Sequence, residues 1–262
     1  MEQGSNTSNN IMPDMSMNAK DSQEHCLTAK PELLLASKCS FEEMKRKVEI
    51  NEQSLEELFK KVFQIYKAEE VVLSFNGGKD STVVLHMLNR FFQKDHNLNR
   101  LKILTLFITD PDGFSEIDEF VNDCSKLYNI EMIKMEGTIK EALERMCIER
   151  PLTKAVFMGS RRTDPHCQDL KAMQQTDPGW PPLMRINPIL DWTCRDVWQY
   201  IYVYDVPYCI LYQKGFTSIG NKKNTKPNPY LRVIESTTGH VLDYRPAHEL
   251  LDNDNLERAG RI

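Results

Sequence analysis

Between residues 71 and 159 short apolar runs alternate with amphipathic ones, and no other feature limits the possible folds as strongly. The pattern predicts strands at 71–75, 102–108, 130–135 and 155–159, separated by helices at about 79–93, 115–128 and 138–149. The run "LKILTLFI" (101–108) is apolar at nearly every position rather than at every second one. Such a strand needs cover on both sides, which a parallel sheet flanked by helices provides. The expectation is therefore an α/β fold, a mainly parallel sheet with helices on both faces. Sheets of this class bind ligands beyond the carboxyl ends of their strands. Two polar strings lie at that edge: "FNGGKD" (75–80) after the first strand and "GSRRTDP" (159–165) after the last.

Residues 1–38 are rich in Asn, Ser and Met without a sustained period and read as a disordered tail; residues 39–262 read as one catalytic domain. Order is expected from Ser40, where Ser40-x-x-Glu43 forms a capping box. Leu55, Leu58, Phe59, Val62, Phe63 and Tyr66 then make one helical face, with a break expected near Asn51. Beyond residue 160 the alternation stops. Pro165, Pro178, Pro181, Pro182 and Pro188 interrupt the backbone, so a loop-rich and helical C-terminal extension is expected. Thr193-x-x-Asp196 resembles a second capping box before "VWQYIYVY", and "AHELLDNDNLERAGRI" is expected to form one more helix.

The chain has 262 residues with 33 basic against 38 acidic ones, a formal net charge of -5, which lacks the basic footprint of a nucleic-acid binder. An anionic ligand must find a local positive patch. The seven cysteines are scattered and never closer than 13 positions, which argues against a disulfide framework, a zinc ribbon or an iron–sulfur site. They read as reduced thiols of a cytoplasmic protein. The acidic N-terminal stretch has no apolar signal core, and no apolar run is long enough to cross a membrane.

In "SFNGGKDST" (74–82) a Walker A loop would need glycine at position 73 and Ser or Thr directly after Lys79, whereas Leu73 and Asp80 stand there; the GxGxxG spacing is absent as well. What remains is a strand, two glycines and a helix start. Backbone N–H groups at such a place approach anionic oxygens, the helix dipole favours negative charge, Lys79 adds a full charge, and Ser81 and Thr82 add hydroxyls. Asp80 beside a phosphate is repulsive unless a divalent cation intervenes, and Mg²⁺ is the natural one. Read from these residues alone, a ligand-free tight turn with Asp80 at the helix start competes with the phosphate loop.

The string "SFNGGKDS" resembles the pyrophosphate-binding loop SGGKDS of the N-type ATP pyrophosphatase group, whose members cleave ATP between its α and β phosphates. Phe75-Asn76 before the glycines resembles the eukaryotic FAD synthases, as do "MGSRRTDPH" (158–166), "TDPGWPPLMRINPILDWTCRDVW" (176–198), "VPYCILYQKGFTSIGN" (206–221) and "YRPAHEL" (244–250). The resemblance covers about residues 65–262. The Glu-Cys-Gly-Leu-His string of the sulfonucleotide reductases and the CxxC pairs of many thiolases are absent. The implied fold is PAPS reductase-like. The implied reaction is FMN plus ATP giving FAD and pyrophosphate, with another adenylyl or sulfonucleotide enzyme, or an inactive flavin-binding protein, as alternatives.

The resemblance also implies roles. Phe75, Asn76, Gly77, Gly78, Lys79, Asp80, Ser81, Gly159, Arg161 and Arg162 are expected at ATP, and Asp164, Asp177, Trp180 and Arg185 at FMN. Asn76, Lys79, Asp80, Asp164, Arg258 and Arg261 are expected to be catalytic, with Asp80 and Asp164 toward Mg²⁺. An indole can pack on the flavin ring, a carboxylate can accept its imide N–H, and two arginines three apart can clamp a polyphosphate. Read without the resemblance, Asp164 is a turn residue before Pro165 and the two arginines a solvated terminus. Trp192 and Trp198 read as core, Arg245 as an ion-pair residue or a weaker phosphate contact, and Asp110 and Cys167 have no assigned role. The expected partners are ATP and FMN, with apo-flavoproteins as recipients of FAD; a monomer is expected, with no nucleic acid and no membrane.

Overall fold

The computed structural model describes residues 40–250 and 254–262, so the expected N-terminal tail lies outside the described residues. Its first element is helix α1 (Phe41–Ile65). The expected capping box is present: Glu43 N–H donates to Ser40 Oγ at 3.2 Å and Ser40 N–H donates to Glu43 Oε2 at 2.7 Å. The break expected near Asn51 does not occur. Met44, Val48, Leu55, Phe59 and Val62 fall on one buried stripe that continues through it, and tertiary packing overrides a poor helix former.

Strands β1 (Val71–Ser74), β2 (Leu104–Thr109), β3 (Glu131–Glu136) and β4 (Ala155–Phe157) alternate with helices α2 (Lys79–Lys94), α3 (Ser115–Leu127) and α4 (Ile139–Glu149). The expected elements are therefore present with ends shifted by one or two residues. The proline-rich segment adds what periodicity could not show. Strands β5 (Met173–Gln175) and β6 (Met184–Ile186) extend the sheet, whose order is β3-β2-β1-β4-β6-β5 with only β5 antiparallel. Three-residue strands carry no detectable period, and Pro181, Pro182 and Pro188 bound β6 rather than abolish it.

Both faces are covered. Val72, Leu106 and Val156 pack against Ala142, Leu143 and Met146 of α4. On the other face Leu73, Phe75, Phe107 and Phe157 meet residues of α1, α2, α3 and helix α5 (Cys194–Val203). Phe59 stands edge-on to Phe157 at 5.5 Å, and each such side chain contributes about 1.5–3 kcal/mol by burial. The capping box predicted for α5 forms, with Asp196 N–H donating to Thr193 Oγ1 at 3.2 Å.

The last segment differs from expectation. Among its described residues it forms short 3₁₀ turns at Ala247–Leu250 and Asp254–Leu256 rather than a regular helix, after a small antiparallel pair, β7 (Arg232–Ile234) and β8 (Val241–Tyr244). No helix among the described residues is long and apolar enough to cross a membrane. Strand β1 lies between β2 and β4, so the chain leaves β1 toward one side and later returns on the other. The loops after β1 and β4 consequently diverge and open a crevice at their carboxyl ends.

Candidate active site

The loop after β1 is held in shape by its own hydrogen bonds. Asn76 Oδ1 accepts from Gly78 N–H at 2.9 Å and from the Ser81 hydroxyl at 2.7 Å, and Thr82 Oγ1 donates to Gly78 O at 2.9 Å. Gly77 has φ +72, and a Cβ there would stand 2.9 Å from Val121 Cγ2, so both backbone and space require glycine. Helix α2 has no side-chain cap at Gly78; instead the Tyr212 hydroxyl accepts the Lys79 N–H at 2.9 Å. Across the crevice, Gly159 lets the β4 loop approach the first turn of α2, since a Cβ on it would lie 2.8 Å from Ser81 N.

Charges meet where the two loops face each other. Lys79 and Arg161 are each 2% exposed. Lys79 Nζ lies 2.9 Å from Asp80 Oδ2, and Arg161 Nε lies 2.9 Å from Asp80 Oδ1. Glu257, from the C-terminal segment, accepts from both Lys79 and Arg161. Burial alone would raise the Asp80 carboxyl, but Lys79 and Arg161 outweigh it and hold it below the usual range. Burial would lower Lys79, yet Asp80 and Glu257 keep it well above its ordinary value. Asp164 behaves oppositely: burial raises it, and the Arg161 N–H that donates to its Oδ2 at 2.9 Å offsets this only in part. Arg258 sits above, with NH1 3.8 Å from Asp164 Oδ1 and 3.5 Å from the Ser218 hydroxyl.

These groups line one cleft of about 340 Å³, within the size range of ligand sites. It brings together Asn76, Gly78, Lys79, Asp80, Ser81, Gly159, Arg161, Asp164, Arg258 and Arg261, drawn from three separate stretches of sequence. Other expected residues are placed elsewhere. Phe75 is core at 1% exposure, and Gly77 shapes the turn behind the lining. Arg162 is turned away from the cleft, its guanidinium paired with Asp191 and donating to the carbonyls of Gln168 and Leu170 at 2.8 Å each. It braces its own loop.

Asp177 and Trp180 form an exposed turn, closed by Trp180 N–H donating to Asp177 O at 3.1 Å, outside the cleft lining. Arg185 in β6 is nearer: it donates to Asn187 Oδ1 at 3.0 Å and to the hydroxyl of Ser160, a lining residue, at 3.0 Å. Asp110 is a turn former, accepting from Asn221 Nδ2 at 2.9 Å and Asp112 N–H at 2.8 Å. Arg245 pairs with Glu249 at 3.2 Å, and Trp192 and Trp198 are core. Cys167 is buried with Arg185 NH2 3.9 Å from its sulfur.

Sequence reasoning missed Glu257, Tyr212 and Ser218. All three fall inside strings already singled out, "ERAGR" and "VPYCILYQKGFTSIGN", but no local property sets them apart. Cys194, Asp254 and Glu257 bring three donor atoms within 4.8 Å. Glu257 is already committed to two cations, and burial pushes the Cys194 thiol far up, so this cluster does not suit a metal ion.

Comparison with known proteins agrees with this layout. The phosphoadenosine phosphosulfate reductase domain family matches residues 70–227. The probable FAD synthase of Schizosaccharomyces pombe is 37% identical over 203 residues, covering 76% of this chain and 74% of the relative. The probable FAD synthase of Caenorhabditis elegans is 38% identical over 79% of this chain, which spans only 39% of that longer relative. Candida glabrata FMN adenylyltransferase, solved with FMN and the ATP analogue AMPCPP, superimposes with TM-score 0.76 at 28% identity, over 86% of this chain and 93% of that one. The same enzyme solved with FAD and inorganic pyrophosphate gives TM-score 0.77. The loop after β1, the β4 loop and the C-terminal arginines thus converge in a chain that belongs to the FAD synthase family, built on the phosphoadenosine phosphosulfate reductase domain.

Proposed function

We infer that the protein is an FMN adenylyltransferase that makes FAD and pyrophosphate from FMN and ATP. The observation that carries this is the single cleft joining the Asn76–Ser81 loop, Arg161, Asp164, Arg258 and Arg261. Its support is the likeness to an enzyme solved both with FMN and an ATP analogue and with FAD and pyrophosphate. A phosphate oxygen of FMN attacks the α-phosphorus of ATP; a P–O bond forms there, and the bond to the β-phosphate oxygen breaks. FMN phosphate is already anionic, so the site is required to align and to neutralise rather than to remove a proton.

The amino end of α2, with Lys79 in its first turn, faces the departing pyrophosphate. Arg258 and Arg261 hold it from the opposite wall. Asp164 has the room Mg²⁺ needs, since its Oδ1 is 3.8 Å from its nearest cation, whereas Asp80, held by Lys79 and Arg161 at 2.9 Å each, would have to share its carboxylate with the ion. Those two carboxylates would hold the ion, directly or through water, and when bound it offsets the charge of the phosphates. The side of the cleft at Ser160 leads to Arg185, and Asp177 and Trp180 lie on the turn before β6, so the flavin is assigned to that side. A cytoplasmic setting fits the free thiols of Cys147, Cys167, Cys194 and Cys209.

Chromatography after incubation with FMN, ATP and Mg²⁺ tests the reading. The expected result is FAD with an equal amount of pyrophosphate, dependent on the metal. ATP binding without any FAD would leave a nucleotide site but refute FMN as the acceptor.

A further inference from the structure

One buried acid has no task in that reaction. Glu257 is 3% exposed, and its carboxylate is divided between two loops: Oε1 accepts from Lys79 at the start of α2, Oε2 from Arg161 after β4. A side chain from the C-terminal segment therefore ties together the two loops that form the crevice. Its backbone is anchored too. Thr217 Oγ1 donates to the Glu257 carbonyl, and Asn228 Nδ2 donates to Thr217 Oγ1 and to Leu256 O, each at 2.8 Å. Beyond it, Lys226 N–H donates to Gly260 O at 2.8 Å, and Ile262 N–H to Asn224 O at 3.0 Å.

Three charges removed from water in this way are costly unless each is paired, and a second carboxylate beside Asp80 under a polyphosphate cleft weakens the field of the cations it holds. Glu257 thus brings no attraction for substrate. What it supplies is position. Resting on the proposed function, we infer that Glu257 is a positioning residue for adenylyl transfer. It fixes Lys79 and Arg161 as one unit and thereby sets Arg258 and Arg261, which follow it in sequence and line the cleft, against the phosphates.

The test is a double-mutant cycle on the whole chain, comparing the unsubstituted protein, Glu257→Gln, Arg258→Ala and the pair by calorimetric titration with inorganic pyrophosphate. Arg258→Ala is expected to weaken pyrophosphate binding about fivefold or more in the unsubstituted background and less than about twofold when Glu257 is replaced, because the arginine is then no longer held to the phosphates. Equal factors in both backgrounds overturn the inference, as does an Arg258→Ala protein that binds normally. A role in packing alone lowers the melting temperature and leaves that ratio unchanged. Should Glu257→Gln fail to fold, Glu257→Asp keeps the charge but is one methylene too short to reach both cations, and the same ratio is read. Turnover gives a second readout: Glu257→Gln is expected to lower kcat about tenfold at an unchanged KM for FMN, and kcat near the unsubstituted value contradicts the role. If the unsubstituted protein makes no FAD, the functional reading fails by itself, while the pyrophosphate cycle still decides the role of Glu257.

Discussion

Asn76 accepts from both the Gly78 N–H and the Ser81 hydroxyl, so its side-chain amide sets the shape of the loop that faces the cleft. Asn76→Ala removes both bonds at an exposed position. The expected outcome is a loss of about 100-fold in kcat from misplaced phosphates, with a melting temperature changed by only a few degrees. Steady-state kinetics beside a thermal melt checks this, and full activity would remove the loop from the chemistry. Asp164 predicts a pH effect. Burial raises its carboxyl above the ordinary value near 3.8, so its ionised form is lost earlier on acidification than that of an exposed aspartate. Activity is expected to fall along an acid limb that Asp164→Asn lacks, at a lower overall rate; an unchanged limb in that variant would assign the titration to another group. At this scale the sequence disclosed much, because Asn76, Asp80 and Arg161 stand in compact strings beside strand ends. It did not disclose Glu257, since a carboxylate in "LERAGR" reads the same whether it is solvated or clasped by two distant cations.

Among the elements, β1 through β4 and their helices were legible because apolar runs and helical stripes determine them locally. Helix α1 was misread at Asn51 because its stability derives from contacts with α2 and α5 rather than from propensity. Strand β6 was invisible: its pairings with β4, through Ala155 opposite Met184 and Phe157 opposite Ile186, and with β5 on its other side make it a strand. Gly159 tests how closely β4 and α2 must approach. Gly159→Ala places a methyl group 2.8 Å from the Ser81 nitrogen and 3.0 Å from the Asp80 carbonyl carbon, so the first turn of α2 must move. ATP binding is expected to weaken about tenfold or more while the circular dichroism spectrum stays native. Unaltered ATP affinity would show that the amino end of α2 does not hold the phosphates.

For the molecule as a whole, a negatively charged chain gathers Lys79, Arg161, Arg258 and Arg261 from distant parts of the sequence into one cleft, where Asp80 and Glu257 pair with the first two and Arg258 and Arg261 face the opening, a grouping that net charge conceals. Its stability should depend on pH through two histidines, the half-buried His86 and the buried His248. Burial, with Arg90 nearby, pushes His86 down to about 4, and burial pushes His248 down to about 4. Each favours the neutral form in the fold, so the stability they contribute is present above about pH 6.5 and lost as pH falls toward 4, on the order of 3 kcal/mol each. Urea unfolding at about pH 7 and about pH 4.5 measures this, and equal midpoints would contradict it. The central claim, that FMN phosphate attacks the α-phosphorus of ATP in the cleft between the β1 and β4 loops, is tested most directly by the fate of labelled ATP. With ATP labelled at the α-phosphate, the label is predicted to appear in FAD and not in pyrophosphate, and Asn76→Ala and Arg258→Ala should each slow that transfer in a single turnover. Label remaining in ATP in the presence of FMN and Mg²⁺, or transfer at an unchanged rate in both variants, would contradict the account.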